Sequence, residues 1–293
     1  MNKVILFYKF VPLRDPDMAM LWQKELCSRL NIKGRIVISP HGINGTLGGG
    51  IEDLRKYKRA MNASGTFRGI QYKWSDGDGK EFPKMSIKVR DELVAFKKPG
   101  EIEVNTRGVV GGGKRLKPEA LHELVSKRDD VVFFDGRNTY EADIGRFKNA
   151  VIPDTRTTRD FIEELESGKY EKLKDKPVVT YCTGGIRCEI LSVLMKNRGF
   201  KDVYQLDGGI VKYGEKYGDD GLWEGRLHIF DDRMVHSFSD KAKDIGECVH
   251  CSQTTSSFEN CADVSCNRLV LICEPCQENQ KILCDNHETI ASI

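Results

Sequence analysis

Long hydrophobic runs are missing from this chain of 293 residues. Its longest uninterrupted apolar stretches, such as residues 4–8 and 269–273, fall far short of the roughly 20 residues that cross a bilayer, so no membrane partner is expected. The N-terminus has Lys3 and then only that short stretch before Lys9, with no small-residue cleavage site after it. This is not a signal-peptide pattern, and the expected location is cytoplasmic. Internal repeats, low-complexity tracts, a dinucleotide-binding glycine fingerprint and any motif for haem or non-haem iron are also lacking. The net charge of +2 conceals an asymmetry. Residues 52–117 hold 16 Lys/Arg against 9 Asp/Glu, whereas residues 240–293 hold 4 against 9. A basic middle segment suits a polyanionic partner.

Cysteine is the residue present in excess. Of the 10 cysteines, seven crowd into residues 248–284, leaving Cys27, Cys182 and Cys188 elsewhere. In a cytosolic chain this clustering favours metal or redox use over disulfides. The tail reads as four ligand pairs: Cys248/Cys251, Cys261/Cys266, Cys273/Cys276 and Cys284/His287. Eight such ligands make about two tetrahedral zinc sites, structural because protein fills every position. Sharing of one ion by the first and third pairs is one arrangement the spacing permits.

The periodicity suggests a mixed α/β chain. A strand over residues 4–10, a helix over 18–30 with Asp15 as its N-cap, strands at 35–39 and 43–47, a helix over 51–61 and a last strand near 85–89 give a βαββαβ, ferredoxin-like N-terminal domain over residues 1–106. The glycine-rich, basic stretch 107–117 reads as a flexible linker. Strand and helix then alternate over residues 118–218, as in a parallel sheet covered on both faces. Residues 219–293 lack that alternation and form an extension ending in the cysteine cluster.

In Val-Val-Thr-Tyr-Cys182-Thr-Gly-Gly-Ile-Arg-Cys188-Glu, a buried strand delivers Cys182 into a loop that runs into a helix. The loop residues Thr183, Gly184, Gly185 and Ile186 form a cradle in which successive amides and the helix N-terminus favour a thiolate or a bound anion, and Arg187 adds positive charge. This loop resembles the Cys-x-x-Gly-x-Arg active-site loop of the rhodanese superfamily. The likeness extends to Asp135-Gly-Arg137, Tyr140-Glu141, Ala150-Val-Ile-Pro153 and the block from Phe200 to Ile210. Two positions depart from it: Arg146, where rhodaneses commonly have histidine, and Cys188, where they often have serine.

The longer string from Cys182 to Glu189, together with His41-Gly-Ile-Asn-Gly45, Phe230-Asp-Asp-Arg233 and the order of the three parts, is similar to a narrower group, the rhodanese-domain tRNA uridine hydroxylases. That resemblance implies oxygen-dependent formation of 5-hydroxyuridine at the tRNA wobble position. Molecular oxygen would be the co-substrate, the anticodon region of tRNA the partner, and Cys182, Arg187 and Cys188 the catalytic residues. The rival readings are a sulfurtransferase working through a Cys182 persulfide and a zinc-stabilised adaptor without catalysis. Candidate RNA contacts are His41, the helix cations Arg55, Lys56, Lys58 and Arg59, and the linker cations Arg107, Lys114 and Arg115. Tyr72 and Trp74 are candidates for base stacking, although strand packing accounts for them better. Asp231-Asp-Arg233 reads either as support for the site or as an ion pair.

Overall fold

In the computed structural model, which describes residues 1–263, 265–266, 268–279 and 282–284, the N-terminal region is a five-stranded sheet with helices on one face. Its elements are β1 (Asn2–Phe10), α1 (Pro16–Arg29), β2 (Lys33–Ser39), β3 (Gly42–Gly50), α2 (Ile51–Ala63), β4 (Tyr72–Gly77) and β5 (Met85–Val89). Asp15 starts α1 by accepting the Met18 amide at 2.8 Å, with Pro16 in the first turn. The strand order is β4-β1-β3-β2-β5. Neighbours are antiparallel except for β5, which runs parallel to β2. The ferredoxin-like unit is therefore closed by β4, and the strand at Met85–Val89, expected to close it, is an addition on the opposite edge. The apolar pattern of β4 is weak because Lys73 and Ser75 point away from the helices.

One face of this sheet carries Ile5, Phe7, Ile36, Ile38, Ile43 and Leu47 against Leu54, Tyr57 and Met61 of α2 and Cys27 of α1. Each such aliphatic or aromatic burial is worth about 1.5–3 kcal/mol. Tyr72 also lies in this core, its ring 5.3 Å from that of Phe7. Side chains alternate along strands, so Leu6, Tyr8, Val37, Asn44, Thr46 and Lys73 face the other way.

The second domain follows a small hairpin, β6 (Val104–Asn105) and β7 (Gly108–Val109). It contains β8 (Lys114–Leu116), α3 (Pro118–Lys127), β9 (Val132–Asp135), α4 (Thr139–Asp143), β10 (Gly145–Phe147), α5 (Phe161–Glu166), β11 (Pro177–Tyr181), α6 (Ile186–Asn197), β12 (Asp202–Leu206) and α7 (Gly209–Tyr217). Its parallel sheet has the order β8-β12-β11-β9. Helix α6 is buried from Arg187 to Met195 and packs on one face with Phe134, Val178 and Phe161. Phe10, Leu93, Phe96 and Ile102 join this core, so the chain after β5 lies on the second domain. Leu121, Phe133, Val179, Ile210 and Tyr213 cover the other face.

The stretch 107–117 differs from the expected flexible linker. It supplies β7 and the edge strand β8, and the Gly113 amide donates to Ser192 Oγ at 2.9 Å. A Cβ at Gly113 would stand 2.9 Å from the Val203 carbonyl oxygen, so close approach of the backbone, rather than flexibility, requires that glycine.

Beyond α7, β13 (Trp223–Gly225) pairs with β10, and three short hairpins precede a helix at Glu274–Asn279. Arg233 pairs with Asp231 and also donates to Ser75 Oγ and to the Asp76 carbonyl oxygen at 3.2 and 2.6 Å, fastening this extension to the edge strand β4. Among the described residues no helix is long and apolar enough to cross a membrane.

Candidate active site

The carboxyl ends of β9, β11 and β12 converge at Cys182, the usual place for ligands in a parallel sheet. Cys182 follows β11, and its side chain is almost wholly buried. The Gly185 amide donates to Cys182 Sγ at 3.2 Å, and Gly185 adopts φ +97° as the residue before α6. The family-like block after β12 supports the loop from below. Ile210 and Val211 amides donate to the carbonyl oxygens of Cys182 and Thr183 at 3.0 and 3.1 Å. Gly209 has φ +68°, and a Cβ there would fall 2.4 Å from the Cys182 carbonyl oxygen. Only glycine fits that contact.

Burial alone would push the Cys182 thiol up, but a hydrogen bond from Cys188, the Arg187 charge and the Cys188 and Gly185 amides together bring it down to about 5. Cys188 responds in the opposite direction. Burial, and then the neighbouring Cys182 sulfur, hold it well above the ordinary range, so it remains a thiol and a donor. Cys188 sits behind the loop near Thr180 Oγ1, at 3.5 Å, and does not line the cavity in front of Cys182.

Arg187, expected as a charge added beside the sulfur, is already engaged. It forms a buried bidentate pair with Glu141, at 2.5 and 2.7 Å, while Nη2 reaches Thr183 Oγ1 at 3.4 Å. Burial raises the Glu141 carboxyl, but Arg187 and Arg137 outweigh it, so the carboxylate stays charged. Asp135 and Arg137 form a second, fully buried pair beneath. The Phe230 ring closes over Arg187 at 5.7 Å. His228 is held neutral by burial, down to about 4, within Tyr140, Phe230 and Phe258.

In front of Cys182 lies a cavity of about 720 Å³ between the two domains. One wall is the loop, with Thr183, Gly184, Ile186 and Arg187; the opposite wall is the polar face of the N-terminal sheet, with Leu6, Tyr8, Asn44, Thr46 and Lys73; Phe230 and Arg233 come from the extension, while Trp74 packs its ring on the helix side of the sheet. Sequence reading missed Tyr8, Lys73, Arg35 and the pairing role of Glu141. Their only signal was membership of family-like strings or of an alternating strand.

The expected RNA contacts lie elsewhere. None of His41, Arg55, Lys56, Lys58, Arg59, Arg107, Lys114 and Arg115 lines this cavity. His41 is in the β2–β3 turn, and it is Asn44 of the same motif that faces the cavity. Helix α2 occupies the opposite face of the sheet, where Arg55 and Lys56 pair with Glu52 and Asp53, Lys58 lies over the Tyr72 ring at 5.7 Å and Arg59 is exposed. Lys114 lies 3.5 Å from Asp202, and Arg115 pairs with the buried Glu189 at 2.6 Å. Arg107 and Arg115 instead line a smaller cavity of about 190 Å³.

In the tail, the sulfurs of Cys248, Cys251, Cys273 and Cys276 lie within 4.8 Å of one another, as do those of Cys261, Cys266 and Cys284. The first and third pairs thus share a cluster. The sulfurs of Cys251 and Cys273 stand 3.6 Å apart and those of Cys266 and Cys284 3.5 Å apart, near the roughly 3.7 Å edge of a tetrahedral thiolate site. The eighth expected ligand, His287, lies outside the described residues.

Residues 2–93 match the UPF0176 acylphosphatase like domain, residues 117–216 the Rhodanese-like domain and residues 224–288 the Rhodanase C-terminal domain. The chain is 59% identical over 285 residues to a tRNA uridine(34) hydroxylase of Corynebacterium diphtheriae, covering 95% of this chain and 91% of that protein. A protein of the same name from Pseudarthrobacter chlorophenolicus is 59% identical over 287 residues, covering 97% of each chain. Its namesake in Corynebacterium glutamicum is 56% identical over 294 residues, covering 100% of this chain and 94% of that one.

Proposed function

The chain belongs to the tRNA uridine(34) hydroxylase family, and we propose that it hydroxylates the wobble uridine of tRNA at Cys182, in the cavity between its N-terminal and rhodanese domains. The main support for the site is the thiol itself. It is buried at the cavity wall and shifted toward the thiolate by Cys188, Arg187 and two loop amides. A base stacked in an anticodon does not reach a sulfur that is 1% exposed, so the target nucleotide swings out of its stack into the cavity. Tyr8 and Phe230 offer aromatic surface for it there.

The thiolate adds to C6 of the uracil ring, forming a C–S bond and moving the electron pair of the 5,6 double bond toward C5 and O4. C5 then attacks one oxygen of a peroxide, formed from molecular oxygen with two electrons from an external reductant; the O–O bond breaks, one oxygen stays on C5 and the other leaves as hydroxide. Loss of the C5 proton expels the thiolate and restores the double bond. In this reading Arg187 stabilises the thiolate, Cys188 donates to it, and Thr183, Gly184, Gly185 and Ile186 hold the loop. The rhodanese domain is compatible with sulfur transfer as well, but the full-length relatives do not favour that reading.

The cations of α2 and of the 107–117 stretch, with His41, remain candidates for contacts to more distant tRNA phosphates around the anticodon, since they stand off the cavity. The two cysteine clusters suit zinc, with His287 completing the second, and zinc there would hold the tail together without touching the reaction. The division at residues 106, 117 and 218 and a cytoplasmic location belong to the same proposal. Nucleoside mass spectrometry of tRNA from cells with and without the gene tests the function. Loss of 5-hydroxyuridine and its derivatives is expected; a change confined to thiolated nucleosides would overturn the assignment in favour of sulfur transfer.

A further inference from the structure

Lys73 stands apart from the other cations of the N-terminal sheet. It leaves β4 on the face turned from the helices, is 6% exposed, and forms no ion pair among the described residues. Nζ donates to the Gly184 carbonyl oxygen at 2.8 Å and lies 5.1 Å from the Tyr8 ring centroid. An ammonium buried without a counter-ion is costly, so its retention requires a nearby negative group. The charged and titratable groups that act on it are Cys182, Asp207 after β12, and Lys212 and Glu215 on α7. Burial lowers Lys73 to about 8, and a Cys182 thiolate pushes it back up more than the other groups do. Attraction between two charges is mutual, so a charged Lys73 favours the thiolate in return.

The same wall grips the loop sterically. A Cβ at Gly184 would fall 2.7 Å from Leu6 Cδ2, and one at Gly185 would fall 3.1 Å from Tyr8 Oη. Tyr8 is itself tied to α6 through Glu189 Oε1 at 3.1 Å. The loop thus runs in a groove formed by Leu6, Tyr8 and Lys73. Cys182 is faced by Arg187 and Cys188 from α6 and by Tyr8 and Lys73 from the sheet.

We propose that Lys73 is a positioning residue for Cys182, by which the N-terminal sheet completes the active site: it clamps the Gly184 carbonyl and sets a positive charge beside the sulfur. This rests on Cys182 being the reactive thiol. The test uses the full-length protein with Lys73→Met, which removes charge and donor, Lys73→Gln, which removes the charge alone, and Lys73→Arg, which keeps both. Iodoacetamide labelling of the Cys182 peptide is followed by mass spectrometry across pH, alongside tRNA hydroxylation. Lys73→Met is expected to raise the labelling midpoint by about one pH unit and lower hydroxylation at least ~10-fold. Lys73→Gln shares the raised midpoint, and Lys73→Arg returns both readouts toward the starting protein. Should Lys73→Met fail to fold, the Gln and Arg variants decide. A labelling midpoint unchanged in Lys73→Gln, with the loop intact, reduces Lys73 to an inter-domain strut and overturns the proposal. Labelling is read without tRNA, so a raised midpoint combined with tRNA modification by Cys182→Ser would sink only the role of Cys182 in the reaction.

Discussion

The Cys182 loop and the cysteine tail use the same side chain in opposite surroundings. At Cys182 a single sulfur meets backbone amides, an arginine and a helix start, and its nearest thiol, Cys188, is forced to stay protonated. In the tail, sulfur meets sulfur: four thiols converge in one cluster and three described ones in the other. The first setting isolates one negative charge and keeps it reactive. The second gathers several donors that only a cation can reconcile. The neighbours, not the residue, decide whether a thiol becomes a nucleophile or a ligand.

The largest effect is expected on the tail side of this comparison. Cys273→Ser should reduce bound zinc from about two ions per chain to about one and expose the tail to limited proteolysis, because structural zinc contributes on the order of 10–16 kcal/mol in small modules. Elemental analysis with proteolysis checks this. Zinc content below about half an equivalent in the starting protein would erase the distinction between the two settings.

Arg187→Ala tests the loop side and should do more than weaken a field, because it leaves Glu141 charged and unpaired in the interior. The expected cost is about 3–5 kcal/mol in urea unfolding, with part of it recovered by adding Glu141→Ala. An exposed arginine would cost less than about 1 kcal/mol on removal.

A smaller effect follows from ionisation. The folded Cys182 titrates at about 5, below an unfolded thiol at about 8.5. Its contribution to stability is therefore fully present above about pH 8.5 and is lost as pH falls through about 5. The melting temperature of the starting protein minus that of Cys182→Ser should rise steadily between those limits. A flat difference would mean that Cys182 is an ordinary buried thiol.

The sequence made the local parts of this site legible. Cys182, its glycines, Arg187 and the helix start are contiguous, and chain order alone brings them together. Strand and helix periods likewise gave most of both sheets. What stayed hidden depends on contacts between distant parts of the chain. Glu141 meets Arg187 across 46 residues, and Lys73 meets Gly184 across 111. Strand β4 was expected only as strand packing for Tyr72 and Trp74 and not as the closing strand, because its polar side chains face a cavity that exists only after the domains dock, and β8, with the pattern Lys-Arg-Leu, reads as a basic linker until it is seen paired with β12. The cysteine tail showed the opposite balance: spacing announced the ligands, while their interleaved sharing appeared only in the fold.

The central claim is that one thiol, Cys182, carries the reaction. Complementation of a deletion strain, scored by 5-hydroxyuridine in tRNA, tests it most directly. Cys182→Ser, expressed at the normal level, should yield no 5-hydroxyuridine, since a serine hydroxyl is almost never ionised at neutral pH. Cys188→Ser, which keeps a donor behind the loop, should retain modification with at most a roughly tenfold loss. Full modification by Cys182→Ser would contradict the account.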